Sequence, residues 1–210
     1  MKNIIIGLSG ERQVGKSHIA QHLIDRYGFQ RVHPFNGGKA ACRGYFTHLG
    51  ADADTAWRMT DGDLKDVPSQ ILPIISNPGH GEPGTHYAPR FYMEKLGQFM
   101  GVQLGPEWTI GAEMRLILNA NEGKPVRLVA ESIVYEADEL RKLGGKIIEV
   151  RRPKRENAIV GLETDRYSAT IRPDHVFLND QDGLDLMRED FDGLLRERFG
   201  LVEDLPEYAF

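Results

Sequence analysis

The chain has 210 residues, enough for one sizeable core, and its 26 Lys and Arg against 31 Asp and Glu give a formal net charge of −5. That balance argues against a protein that coats nucleic acid, so any anion site must be local. Cys42 is the only cysteine, which rules out an intrachain disulfide and a Cys-rich metal site; no stretch is apolar over a membrane-spanning length, and a soluble chain of the reducing cytosol is expected.

Asn3 to Leu8 is a short apolar run rich in isoleucine, without polar alternation, and predicts a strand buried on both faces. Directly after it, Gly10-Glu11-Arg12-Gln13-Val14-Gly15-Lys16-Ser17 fits G-x-x-x-x-G-K-[ST] at every fixed position. The glycines let such a turn wrap closely, so that the N–H groups of Arg12, Gln13, Val14 and their neighbours face the phosphates of a nucleoside triphosphate. Lys16 is the candidate for the β- and γ-phosphates and Ser17 for Mg²⁺. From Lys16 to Tyr27 the period changes to that of a helix, with Ile19, Ala20, Leu23, Ile24 and Tyr27 on one face and Gly28 placed to end it. His18 and His22 stand at zinc-binding spacing, but no third ligand is evident and a solvated helix face is expected.

A second short strand is expected within Phe29 to Phe35. Residues 36–88 read as loops between weakly helical pieces such as Ala51 to Met59, because Gly37, Gly38, "TDGDLKDVP" and "NPGHGEPGTHYAP" cluster turn residues. Phosphoryl transfer needs cations on the acceptor as well as on the donor. Lys39 and Lys65 are candidates here, and so is Arg90, in the first turn of a helix opened by Pro89, where the dipole disfavours a cation unless another group rewards it. That helix carries Tyr92, Met93, Leu96, Phe99 and Met100 on its apolar face, and another is expected from about Thr109 to Asn121. Trp57, Phe91 and Tyr92 are large enough to stack on a base, but core positions are the expectation for each.

Beyond residue 124 the alternation is plain. "VRLVAESI" predicts a strand that Glu131 helps to end, a candidate metal-organising carboxylate; "EADELRKLGG" predicts a helix, and "KIIEV" the next strand. Arg151, Arg152, Lys154 and Arg155 then form a basic cluster, either a lid that closes over a triphosphate or a basic turn on the surface. "DHVFL" is a last strand, and Gly183 to Phe199 a closing helix with Leu184, Met187, Phe191, Leu194 and Leu195 inward. Strands alternating with helices imply an α/β fold with a parallel sheet covered on both faces.

"DGDLKD", "APRFYMEKLGQFMGVQLGPEWT", "YEADELRKLGGKIIEVRRP" and "IRPDHVFLNDQDGLDLM" resemble, in order and spacing, segments of the bacteriophage-type deoxynucleoside monophosphate kinases, a branch of the P-loop nucleoside monophosphate kinases. The resemblance covers most of the chain and is weakest from 36 to 80. It implies a three-layer α/β/α P-loop domain spanning 1–210, with a mainly parallel five-stranded sheet, a substrate-binding insertion within 33–106 and a small lid over 151–170. It also implies ATP- and Mg²⁺-dependent transfer to a deoxynucleoside monophosphate, a cytoplasmic location (that of the host for a phage protein) and dimerisation, while charge and hydropathy lead us to expect no nucleic-acid or membrane partner. On it, Gly10, Gly15, Lys16 and Ser17 take the ATP phosphates and metal, Arg90 faces the monophosphate, and Arg151 with Arg152 falls near the lid.

Two departures bear on the site. The family's Asp-x-Arg-Phe is here Ala130-Glu131-Ser132-Ile133, so the carboxylate is shifted by one position and the arginine is missing, while Ala88 replaces the threonine of Thr-Pro-Arg. A one-residue shift turns a strand side chain to the other face, so Glu131 substitutes only from beyond the strand's end. The expected chemistry is direct in-line transfer, with Lys16, Arg90, Arg151 and Glu131 at the reacting groups. The alternatives are a P-loop kinase of another small acceptor, such as dephospho-coenzyme A or a nucleoside, and a nucleotide-binding protein without kinase activity.

Overall fold

The computed structural model describes residues 3–74, 86–153 and 167–201. Most of the expected lid, Arg155 included, lies outside them. The elements in chain order begin with β1 (Ile4–Ser9), α1 (Lys16–Tyr27), β2 (Gln30–Val32), α2 (Asn36–His48), α3 (Ala53–Thr60) and α4 (Pro89–Gln98). They continue with α5 (Ile110–Ala120), β3 (Arg127–Ala130), α6 (Ala137–Lys142), β4 (Lys146–Arg151), β5 (His175–Leu178) and α7 (Leu184–Phe199). The chain divides into two compact units, one made of Met1–Pro34 with Ile110–Phe210 and the other of Phe35–Thr109.

The first unit is a three-layer α/β/α domain. Its five strands are ordered β2-β3-β1-β4-β5 and every pairing is parallel. Ile6 and Leu8 of β1 join Val129, Ile148, Val150 and Phe177 against α1 and α7, whereas Ile5 joins Leu128 and Ile147 against α5 and α6. The first strand is therefore apolar without a break because both of its faces are covered. Each such side chain contributes about 1.5–3 kcal/mol when fully buried. Parallel register (Gly7 opposite Ala130, Ser9 opposite Glu149) brings the ends of β1, β3 and β4 to one edge of the sheet. The third strand is shorter than its sequence suggests, because Ser132 takes a left-handed φ of 62° and turns the chain away. Leu184, expected inward on α7, is the helix's first residue and is exposed.

The second unit is more helical than its sequence suggests. Gly37, Gly38 and Lys39, expected in a loop, lie in the first turn of α2. Glycine is required at position 38 by close packing, since a Cβ there would stand 2.0 Å from the Phe35 ring. Its core joins Cys42 and Phe46 of α2 to Ala56 and Met59 of α3, Leu72, and Met93 of α4. Asp52 caps α3 by accepting the Thr55 N–H at 2.8 Å. Trp57 is 53 % exposed and not a core residue; Phe99, expected on the apolar face of α4, is exposed in the π-helical turn Phe99–Leu104 that continues it. Tyr92 packs on the core and stacks on Tyr45, and Phe91 stacks on Tyr87. Among the described residues no helix is long and apolar enough to cross a membrane.

Candidate active site

The segment from Gly10 to Ser17 joins β1 to α1, the strand-to-helix context in which a glycine-rich phosphate loop operates. Gly10, Gln13 and Gly15 have positive φ values of 120°, 59° and 104°, so the backbone curls ahead of the N-terminus of α1, the kind of turn that can present N–H groups to an anion. A Cβ at Gly10 would lie 2.2 Å from the Val150 carbonyl oxygen of β4, and one at Gly15 would lie 2.6 Å from Asn179 Nδ2. Lys16 Nζ donates to the carbonyl oxygens of Gly10, at 2.8 Å, and Glu11, which folds its ammonium back over the loop.

Asn179 belongs to the site although no expectation named it. It is buried in the turn after β5, where its N–H donates to the Arg151 carbonyl oxygen at 2.7 Å and its side-chain amide donates to that of Val14 at 2.8 Å. The loop is thereby tied to the last strand. The only sequence signal for this residue is the Asn-Asp turn that follows "DHVFL".

Glu131 is the first residue past β3, the position from which it can reach the loop. Its Oε1 accepts the Ser17 hydroxyl at 2.6 Å, and its Oε2 lies 3.3 Å from Arg31 Nε. A hydroxyl beside a carboxylate is a pair of hard oxygen donors, and Mg²⁺ is usually held by one or two protein oxygens together with substrate phosphates and waters. Ser17 and Glu131 therefore fit that ion. Among the described residues no group of three or more His, Cys, Asp and Glu side chains could hold a metal.

The second unit brings Lys39, Lys65 and Arg90 together, with Arg43 added from α2. Asp61 accepts from Lys39 Nζ at 2.6 Å, from Arg43 Nη1 at 2.7 Å and from the Thr60 hydroxyl at 2.9 Å. Burial works against this carboxylate, but the bonds from Lys39 and Thr60 and the two neighbouring cations outweigh it and hold its pKa below the usual value. Arg90 pairs with Asp66 through Nε and, at 2.7 Å, Nη2. Lys65 differs from the rest: it is half-buried, and among the described residues no hydrogen bond or ion pair holds its ammonium. Burial pushes its pKa down, and the charges of Arg90 and Lys39 push the same way against the weaker pull of Asp61 and Asp66. Among the described residues, Lys39, Arg43, Lys65 and Arg90 thus gather with the carboxylates of Asp61 and Asp66.

The remaining candidates are less gathered. Arg151 ends β4 and makes a two-pronged pair with Glu149, at 3.0 and 2.8 Å, on an exposed surface. Arg152 follows it, half-buried. His22 is not on a solvated face: it is buried with Nε2 2.6 Å from Asp192 Oδ1, while His18, one turn earlier on α1, is exposed.

No family model matches the chain, and no curated protein matches it. Among solved structures it is similar to TT1252 from Thermus thermophilus, at 17% identity over 94% of this chain and 99% of that one, with a TM-score of 0.45. A dephospho-CoA kinase from Campylobacter jejuni follows at 12% identity over 93% and 97%, with a TM-score of 0.44. The tunicamycin resistance protein of Deinococcus radiodurans is 16% identical over 98% and 100%, with a TM-score of 0.42. In its own residues the chain is an α/β protein whose all-parallel five-stranded sheet is flanked by helices and carries a phosphate-loop signature between its central strand and first helix.

Proposed function

We propose that the protein transfers the γ-phosphoryl group of ATP, with Mg²⁺, to a deoxynucleoside monophosphate, giving the diphosphate. The observation that carries this reading is Lys65: a half-buried ammonium with no hydrogen bond or ion pair among the described residues, flanked by Lys39 and Arg90. Desolvating a cation beside two others is costly unless an anion compensates it, and a phosphate monoester dianion supplies that compensation. An uncharged free nucleoside would not.

In this mechanism the N–H groups of Gly10 to Gly15 and the Lys16 ammonium hold the donor phosphates. Lys39, Lys65 and Arg90 hold the acceptor phosphate and offset its negative charge. Ser17 and Glu131 would hold the metal, which supplies positive charge to the phosphate oxygens. Arg151 and Arg152 complete the neutralisation as water is excluded. No side chain takes the phosphoryl group covalently.

The test is ATP consumption with Mg²⁺ against dAMP, dGMP, dCMP and dTMP, with dephospho-coenzyme A and free nucleosides in parallel. We expect turnover with at least one monophosphate and its loss in Lys16→Ala, whose circular dichroism stays unchanged. Lys65→Met should keep ATP binding and raise the acceptor KM by about tenfold or more, as loss of a charged hydrogen bond does. Turnover confined to nucleosides or dephospho-coenzyme A would overturn the acceptor assignment, and unchanged turnover in Lys16→Ala would overturn the donor site.

A further inference from the structure

We propose that Arg31 is a positioning residue for the oxygen donors at the start of α1, fixing Glu131 so that one carboxylate oxygen faces Ser17. The inference rests on the reading of Ser17 and Glu131 as the metal's protein donors. It begins with a stripe on α1. Ser17, Gln21 and Asp25 recur at every fourth residue and so lie one above another along the helix. Gln21 Nε2 donates to Asp25 Oδ1 at 2.7 Å, and Gln21 Oε1 accepts from Arg31 Nη2 at 3.0 Å. The guanidinium is thus gripped by α1 through one nitrogen, while Nε lies 3.3 Å from Glu131 Oε2. Glu131 Oε1 takes the Ser17 hydroxyl. Each oxygen of the carboxylate has one assigned neighbour, so the rotamer is fixed from both sides.

The backbone supports the same arrangement. Arg31 lies on β2, paired with β3 in the register Arg31 opposite Val129 and Val32 opposite Ala130, and the Glu131 N–H donates to the Val32 carbonyl oxygen at 3.1 Å. Both side chains therefore leave the same edge of adjacent strands. With 42 % of its side chain exposed, Arg31 gains little for stability from the pairing, because water screens exposed ion pairs. What the pairing sets is geometry: a glutamate past the end of a strand has free torsions, and ordering them beforehand removes that cost from ion binding.

The test measures Mn²⁺ binding by electron paramagnetic resonance in the ADP complex of the full chain, with melting temperature in parallel. The variants are Arg31→Gln, Arg31→Lys and Glu131→Gln. We expect Arg31→Gln to weaken Mn²⁺ binding about tenfold, the scale found when a group that orients a metal ligand is lost. Metal-free ADP affinity and melting temperature should stay near the parent values, and Arg31→Lys should recover part of the loss. Unchanged or tighter Mn²⁺ binding in Arg31→Gln overturns the proposal. If Glu131→Gln weakens binding while Arg31→Gln does not, only the role of Arg31 falls; if neither does, the metal-donor reading falls with it. Weakened Mn²⁺ binding in both, without turnover of any monophosphate, would leave Arg31 as assigned and remove the acceptor assignment.

Discussion

Gly15 combines a φ of 104° with a neighbour, Asn179 Nδ2, only 2.6 Å from where a Cβ would stand. Gly15→Ala therefore meets two penalties, a backbone strain of about 1–3 kcal/mol and displacement of the amide that holds Val14. The second exists only while Asn179 is present. In a double-mutant cycle read by urea denaturation, Gly15→Ala should cost less in an Asn179→Ala background than in the parent, and additive losses would show that the two do not meet. Legibility in the sequence at this scale follows chemistry. The fixed positions of the phosphate-loop signature are legible because glycine, lysine and serine at that spacing have few other uses, and they do fall between a strand and a helix. Asn179 and Arg31 are not legible, because a buried amide and a half-exposed arginine gain their roles from strands distant in sequence. Lys39, Lys65 and Arg90 could be named as cations, but only folding of the second unit shows Asp61 and Asp66 satisfying some of that charge and leaving Lys65 over.

Helix α1 is fastened to α7 by a buried polar knot. Asp192 Oδ1 accepts the Tyr27 hydroxyl at 2.8 Å and lies 2.6 Å from His22 Nε2, with Arg26 Nε 3.9 Å from the other oxygen. Removing the carboxylate would strand two buried donors, so Asp192→Ala should lower unfolding free energy by about 2–4 kcal/mol, and Asp192→Asn, which keeps one oxygen acceptor, by less. Equal losses in the two variants, measured by denaturant titration, would assign the effect to volume instead. Elements with an unbroken period were readable: α1, α4, α5, β4 and α7 fall close to where their apolar spacing put them. Helix α2 was hidden, because Gly37 and Gly38 look like a turn and its buried stripe, Gly38, Cys42 and Phe46, contains one large apolar side chain. The His22 partner was equally hidden, since a helical period identifies a buried face but not the distant carboxylate packed on it.

At the level of the molecule, each compact unit has its own apolar core, and the only cysteine belongs to that of the second unit. Burial, opposed only in part by the charge of Arg43, pushes the Cys42 thiol up to about 11, so the native chain offers neither access nor thiolate. Labelling with a thiol reagent at pH 8 should be at least about a thousandfold slower in the native protein than in urea and should report opening of the second unit. Rapid labelling of folded protein would contradict this packing. The division has a further consequence during synthesis. The central strand β1 has β3 and β4 as its neighbours, and both are encoded after the whole of the second unit. At about 5–20 residues per second, the isoleucine-rich strand emerges from the ribosome roughly 6–24 s before its first sheet partner. The same continuous apolarity that suits β1 to the middle of a finished sheet leaves the nascent chain with an unpaired, adhesive segment until β3 follows, a natural target for holding chaperones.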